Sequence, residues 1–385
     1  MNFGIKKHLY SGKLPESSYF CCHDFFLTNK MLSTDEKYMA RCLHLAQFGG
    51  GYVSPNPMVC AVLVCNDRII GEGYHRRIGE AHAEPNAIAS VTDKDLLPQS
   101  TLYVNLEPCS HYGKTPPCAN LIVQKGIKRV VIGTLDPNPK VSGRGVEILR
   151  EAGIEVIAGI LENECRHLNR RFFTFQLQKR PYIILKWAQT QDGFIDHNRT
   201  DNSMHALKIS NSITQQLTHK MRSENMAIMV STNTVLLDNP SLTLRYWYGK
   251  SPLRIAIDRK DIIPESYIIK DGKVPTIIFS RKKSTSKSNP EYIHIDDHDD
   301  NLPIILGELY NHDIHSILVE GGAKLIKSFI ASGLWDEANI EISGISIGEG
   351  VAAPVLTNAV EVSRNIIDNH KWLHYFNPEN PYPFV

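Results

Sequence analysis

The chain's 385 residues exceed what one hydrophobic core usually organises, so two or three domains are expected. Forty-two Lys and Arg against 41 Asp and Glu leave a formal charge of +1, which argues against a nucleic-acid binder that works by neutralising many phosphates and leaves room for a local basic pocket. Hydrophobic residues at 42% and charged residues at 22% exclude a disordered or fibrous chain, and no uncharged apolar run nears the ~18 residues of a membrane span.

Residues 1–33 show no period and form an N-terminal extension. They carry Lys6, Lys7, Lys13 and Asp24 and lack an apolar run with a cleavage site, so no secretory signal is read and the cytoplasm is the expected compartment. Cys21-Cys22-His23 lies there, but adjacent cysteines are poorly placed to chelate one ion. Ser33 and Thr34 offer N-caps for a helix from Asp35 to Phe48, with Met39, Cys42, Leu43 and Ala46 on one face, and Gly49 to Gly51 stop it. An apolar strand from Met58 to Val64, a turn at Asn66-Asp67, a strand to Gly73 and a helix opening near His82 follow. Strands at Thr101 to Leu106, Lys128 to Gly133 and Ile154 to Ala158 alternate with helices at Cys118 to Lys125 and Gly145 to Ala152, which Gly126 and Gly153 close. This alternation predicts a mixed sheet covered by helices.

A polar helix from Leu161 to Gln178 ends in Lys179-Arg180-Pro181, and the domain boundary is placed there, giving units at 34–180 and 181–385. The second unit is again α/β. Strands are expected at Tyr182 to Trp187, Ala227 to Ser231, Leu253 to Asp258, Thr276 to Ser280, Ile314 to Val319 and Glu337 to Ser343, with helices at Ser210 to Glu224 and Ala323 to Ala331. The apolar run Met226 to Leu237 reads as buried strand. Arg281 to Asp300, with the tract Asp296-Asp297-His298-Asp299-Asp300, reads as a solvated surface loop.

Eight cysteines are too few for a disulfide scaffold in a chain this long, so their spacing matters. His82-Ala83-Glu84 is followed by Glu107-Pro108-Cys109, eight residues, and Cys118. One imidazole and two thiolates leave the fourth position of a tetrahedral zinc ion for water, the donor set of a catalytic site rather than a closed structural one. Hydrolytic deamination of a ring also needs a proton carried to the ring nitrogen and another to departing ammonia, and Glu84, two residues from the His ligand, suits both transfers. Helix N-termini at the ligands favour thiolate at Cys118.

H-x-E with a later Pro-Cys and a second Cys is the signature of zinc nucleobase deaminases, here with the two cysteines spread from the usual two intervening residues to eight. The stretch from Glu107 to Cys118 closely resembles the deaminase of the bifunctional riboflavin-biosynthesis family. Pro55-Asn56-Pro57-x-Val59, Gly71-Glu72-Gly73-Tyr74-His75, Gly79-Glu80-x-His82-Ala83-Glu84, Asp136-Pro137-Asn138-Pro139 and Gly143-Arg144-Gly145 are similar to it in the same order. Cys60 stands where that family commonly has Gly, and Pro85 directly follows Glu84, a residue tolerated in a first helical turn. Lone histidines are usually satisfied core or surface groups, but His75 and His111 lie in motif loops and are expected to touch substrate rather than zinc.

No G-x-G-x-x-G follows Pro181, so a Rossmann domain is unsupported. Instead Lys186-Trp187-Ala188-Gln189-Thr190-Gln191-Asp192-Gly193, Ile209-Ser210 before a helix, Thr234 through Arg245, and Val319-Glu320-Gly321-Gly322 resemble the reductase half of the same family. The resemblance covers residues 34 to about 345 and implies an N-terminal cytidine-deaminase-like three-layer domain followed by a dihydrofolate-reductase-like domain. It implies cofactor contacts at Gln189, Lys208, Thr234 and Asp238, with Gln189 and Lys208 at positions the family often fills otherwise, and substrate contacts at Leu242 and Glu320. Arg222 and Arg245 fall on substrate positions and suit bidentate phosphate binding. Gly321 and Gly322, before the Ala323 helix, suit close approach of a cofactor phosphate.

The expectation is a cytoplasmic, homo-oligomeric zinc deaminase and NADPH-dependent reductase. It would deaminate 2,5-diamino-6-(5-phosphoribosylamino)pyrimidin-4(3H)-one and reduce the ribosyl group of the product to ribityl, with a small-molecule substrate and neither nucleic acid nor membrane as partner. The rivals are a nucleobase or tRNA deaminase with an accessory domain, which should show P-C-x-x-C and a basic surface, and a binding protein on a degenerate scaffold, which should have lost the His82, Glu84, Cys109 and Cys118 set.

Overall fold

A computed structural model of the chain describes residues 32–112, 116–138, 142–282, 288–296 and 301–379. Cys21-Cys22-His23 and residues 297–300 of the acidic tract lie outside the described residues. Helix α1 (Thr34–Ala46) starts on a capping box: Ser33 Oγ accepts the Glu36 N–H at 3.3 Å and Glu36 Oε2 accepts the Ser33 N–H at 2.8 Å. It buries the expected Met39, Cys42, Leu43 and Ala46, and tightens into a 3-10 turn over Gln47–Gly49 instead of continuing to Phe48.

Strands β1 (Cys60–Cys65), β2 (Arg68–Tyr74), β3 (Thr101–Leu106), β4 (Arg129–Thr134) and β5 (Glu155–Ala158) form a sheet in the order β2-β1-β3-β4-β5. The β1–β2 hairpin turns through Asn66 and Asp67, both at positive φ, and β3, β4 and β5 run parallel. Strand alternation divides two cores. Leu63, Val104 and Ile132 meet α2 (Ala83–Ser90), α3 (Cys118–Gln124) and α4 (Arg144–Glu151) on one face, while Val62, Tyr103 and Val131 meet α1 and α5 (Glu162–Leu168) on the other. The result is three layers with the C-terminal ends of β3 and β4 open at one edge.

The helix expected from Leu161 to Gln178 is two helices, α5 and α6 (Arg170–Gln178), meeting at Asn169. The Asn169 side chain takes the Met58 N–H at 2.8 Å and donates to the Met58 carbonyl at 3.0 Å, which draws the backbone out of helical φ at that residue. Nor is the segment a polar linker. Phe173, Thr174 and Phe175 are buried, and Arg170 Nε reaches Glu337 Oε1 at 2.5 Å while Arg180 forks onto Asp336 at 2.6 and 2.8 Å.

The second sheet has nine strands. Its parallel body comprises β6 (Tyr182–Gln189), β8 (Ala227–Ser231), β9 (Leu253–Asp258), β10 (Thr276–Ser280), β11 (Glu291–His294), β12 (Ser316–Glu320) and β13 (Glu337–Ile342), ordered β11-β10-β9-β8-β12-β6-β13, and the hairpin β15 (Val360–Ile367) and β16 (His370–Phe376) extends it antiparallel beyond β13. A separate pair joins β7 (Phe194–Asp196) to β14 (Val351–Ala352). One face is an apolar core with α9 (Leu302–Asn311) and α10 (Ala323–Ala331). The opposite face, under α7 (Ser212–Ser223), carries buried Lys186, Glu337 and Glu341.

Two sequence readings change here. Met226 to Leu237 is β8 followed by α8 (Thr232–Asp238), because Ser231 caps the Thr234 N–H and starts a helix. Arg281 to Asp300 is not all loop, since β11 pairs parallel with β10. Among the described residues no helix is long and apolar enough to cross a membrane.

Candidate functional site

His82 is the N-cap of α2, Cys109 follows β3, and Cys118 is the first residue of α3, so three chain segments converge at the open sheet edge. His82 Nδ1 lies 3.6 Å from Cys109 Sγ and 3.5 Å from Cys118 Sγ, and all three donor atoms fall within 4.8 Å of one another. Zinc bonds of about 2.3 Å to sulfur and 2.0–2.1 Å to nitrogen at the tetrahedral angle place S and N about 3.6 Å apart, so the spacing fits that ion. The Cys118 N–H donates to Cys109 Sγ at 3.3 Å, and the adjoining Cys118 and His82 side chains hold the Cys109 thiol well below its usual range. Glu84, in the first turn of α2, is 3% exposed, and burial pushes its carboxyl up to about 6.

The surrounding glycines and polar groups place these side chains. A Cβ on Gly73 would lie 2.4 Å from Ala87 N and one on Gly71 2.7 Å from Ala87 O, so β2 and α2 approach closely only because both are glycine. Glu107 had no role in the sequence reading. Its buried carboxylate accepts the N–H groups of Asp136 at 3.2 Å, Gly143 at 3.0 Å, Gly145 at 2.9 Å and Val146 at 3.3 Å, which ties the motif loop after β4 and the start of α4 to the Cys109 strand end. His75 departs from expectation. It is 3% exposed, Asn56 Nδ2 contacts its Nε2 at 3.1 Å, and its Nδ1 meets the Ala81 carbonyl at 3.0 Å, so neither ring nitrogen is left to meet a substrate. His111 is exposed.

In the second unit Gln189 ends β6, Glu320 ends β12 with Gly321 and Gly322 directly after it, and Thr234 follows β8, so these positions lie at the C-terminal ends of adjacent parallel strands, where open α/β sheets hold their ligands. Thr234 Oγ1 is 3.1 Å from Ser231 Oγ, and Gly321 (φ +92°) and Gly322 (φ +79°) pack onto that pair: a Cβ on Gly322 would lie 2.3 Å from Ser231 Oγ and 3.3 Å from Thr234 Oγ1. The glycines are therefore demanded first by the protein's own packing. Among the described residues no side chain caps α10, and helix N-terminal N–H groups left uncapped favour an anion. Gln189, at the end of β6, accepts the Trp187 indole N–H at 2.8 Å, and Lys208 is exposed. Asp238, at the end of α8, is bound at 2.6 Å by Arg199.

Arg222 and Glu320, expected as separate contacts, form one bidentate ion pair at 2.8 and 2.6 Å, so the Arg222 fork is already filled. Arg245 differs: it is exposed, its backbone N–H is held by His219 Nδ1 at 3.0 Å, and its guanidinium lies over the Tyr246 ring. Leu242 is 4% exposed at φ +55°, with its side chain in a small core. Sequence reasoning gave no role to Lys186, 3.7 Å from Glu341, whose carboxylate also meets Ser210 Oγ at 2.6 Å and His370 Nδ1 at 2.7 Å. A charge inside the buried strand Ile184-Leu185-Lys186-Trp187 was the available signal.

Residues 32–134 match the model of the cytidine and deoxycytidylate deaminase zinc-binding region, and residues 181–372 that of the RibD C-terminal domain. The chain is 41% identical over 325 residues to the riboflavin biosynthesis protein RibD of Aquifex aeolicus (strain VF5), covering 83% of this chain and 89% of that one. It is 36% identical over 332 residues to the protein of the same name from Escherichia coli (strain K12), covering 82% and 89%. Among solved structures it is similar to a diaminohydroxyphosphoribosylaminopyrimidine deaminase/5-amino-6-(5-phosphoribosylamino)uracil reductase from Thermotoga maritima, with TM-score 0.79, 38% identity and coverage of 89% and 99%. The Acinetobacter baumannii RibD structure gives TM-score 0.80 at 29% identity, covering 90% and 99%.

Proposed function

The chain belongs to the RibD family of riboflavin-biosynthesis deaminase/reductases, and from that membership we propose how its residues divide the work. It is a bifunctional enzyme of riboflavin biosynthesis with a cytidine-deaminase-like N-terminal domain that binds zinc and a C-terminal reductase domain. We assign deamination of 2,5-diamino-6-(5-phosphoribosylamino)pyrimidin-4(3H)-one to residues 34–180 and NADPH-dependent reduction of the ribosyl group of the resulting uracil to residues 181–385. We place the enzyme in the cytoplasm as a homo-oligomer.

His82, Cys109 and Cys118 hold the zinc in this reading, and the observation that carries it is their 3.5 and 3.6 Å spacing with Glu84 buried alongside. Zinc held by these three side chains would supply a bound water acidic enough to attack near neutral pH. Glu84 would carry one proton to the ring nitrogen and another to the departing ammonia, a task suited to a carboxyl pushed up to about 6. Glu107 keeps the loop bearing Asp136 and Asn138 beside Cys109, where the rest of the substrate is bound.

For reduction, the nicotinamide supplies the hydride and the protein supplies position. Thr234, Gly321, Gly322 and the uncapped start of α10 receive the cofactor, with Gln189, Lys208 and Asp238 along it. Glu320, fixed by Arg222, faces the sugar, Leu242 contributes backbone, and the exposed Arg245 takes the substrate phosphate. Incubation with the diaminopyrimidine, with and without NADPH, followed by mass analysis tests the assignment. The expected results are the deaminated product alone without NADPH and the ribityl product with it; an unchanged substrate under both conditions would overturn the reading.

A further inference from the structure

Arg199 enters none of the family motifs quoted above, yet its side chain is 3% exposed and all five of its N–H donors are satisfied. Nε and Nη2 bind Asp196 Oδ2 at 2.7 and 2.5 Å, Nη2 also binds Asp238 Oδ1 at 2.6 Å, and Nη1 donates to the carbonyls of Leu237 at 3.2 Å and Met204 at 3.3 Å. The other oxygen of Asp196 accepts the N–H groups of His197 and Leu207, each at 2.9 Å. One guanidinium therefore joins the end of β7, the segment that leads to Lys208, and the C-terminal end of α8. A third of the Asp238 side chain stays exposed, and its Oδ2 takes no hydrogen bond among the described residues.

A surface ion pair would not look like this. Exposed pairs leave donors to water, whereas a planar fork used to its last N–H across three segments fixes geometry. The part of the assembly that remains open is Asp238 Oδ2, an acceptor beside the Thr234 helix. We propose that Arg199 is a positioning residue for the reductase: it aims the Asp238 carboxylate so that Oδ2 accepts a hydroxyl or amide hydrogen of the nicotinamide cofactor. The inference rests on the reading of Asp238 as a cofactor contact.

Arg199→Lys keeps the charge and loses the fork, so it should raise the KM for NADPH about tenfold with a smaller change in kcat. Ammonia release, made in the other domain, should stay at the wild-type rate on the same preparation. A purely structural role would be blind to Asp238, and that difference is measurable: in an Asp238→Asn background, Arg199→Lys should add no further rise in the NADPH KM. An unaltered KM in Arg199→Lys, or the full rise persisting in the Asp238→Asn background, overturns the proposal. Should Arg199→Lys fail to fold, Asp238→Asn alone decides, because an unchanged NADPH KM there removes the contact through which Arg199 acts. A wild-type enzyme that does not use NADPH fails the reading of the site itself, and the inference with it.

Discussion

Replacing Gly73 by Ala tests how the fold builds the deaminase site. The added Cβ would lie 2.4 Å from Ala87 N and 2.6 Å from Asn86 C, both backbone atoms of α2. Ordinary contact for such atoms is about 3.5 Å, so strand and helix must separate by about 1 Å. The helix cannot slide aside freely, because Asn86 Nδ2 ties its first turn to the carbonyls of Tyr74 at 2.9 Å and Ala81 at 3.3 Å. His82 is the N-cap of this helix and Glu84 lies in its first turn, so the displacement passes directly to the proposed metal donor and proton carrier. Overpacking of this kind costs about 1–3 kcal/mol of stability, and a ~1 Å misplacement in an active site costs about 100-fold in rate. Ammonia release, bound zinc and NADPH-dependent reduction of the deaminated substrate should be measured on one preparation. The expected pattern is a deaminase slowed about 100-fold beside a normal reductase. Wild-type ammonia release would refute the reasoning, since it would mean that the β2–α2 spacing does not set the site.

Glu84→Gln should keep its zinc while ammonia release falls by about two to four decades, the scale for a lost acid/base; zinc loss would make the residue a metal support instead. Cys109→Ser replaces a thiolate by a neutral hydroxyl and should lose metal and deamination together, with normal zinc content contradicting the ligand assignment. Burial raises the Glu337 carboxyl, but the Arg170 cation and then His374 outweigh this and hold it well below the usual carboxylate range. Its stabilisation is therefore complete above the unfolded value near pH 4.5 and is lost as pH falls below it, so Glu337→Gln should cost about 3 kcal/mol at pH 7 and show a shallower acid decline in thermal midpoint.

The deaminase half was legible in sequence because its determinants are local. Ser33 with Glu36, the Asn66-Asp67 turn, and the closing Gly126 and Gly153 each specify a boundary within a few residues, and His82, Cys109 and Cys118 stand at element ends that those boundaries fix. The α5–α6 segment misled for the opposite reason. It read as one polar helix, yet Arg170 finds Glu337 and Arg171 donates to the Glu224 carbonyl at 2.7 Å, partners 167 and 53 residues away. The β15–β16 hairpin was readable but unread: Asp368-Asn369, both at positive φ, is the same turn chemistry as Asn66-Asp67.

The reductase half shows where such reading ends. Its motif residues were located by resemblance, but what each can do depends on the neighbour that the parallel sheet brings beside it. Glu320 and Lys186 are register partners on β12 and β6, Glu320 is joined to Arg222 on α7, and Lys186 to Glu341 on β13. None of these pairs lies within thirty residues in sequence. An arginine whose fork is filled by a carboxylate offers a phosphate little, whereas Arg245, which no carboxylate holds among the described residues, offers its full fork. The proposed division of labour between two arginines that look equivalent in sequence thus follows strand order: β12 inserts between β8 and β6, which carries Glu320 to Arg222, while no carboxylate among the described residues holds Arg245.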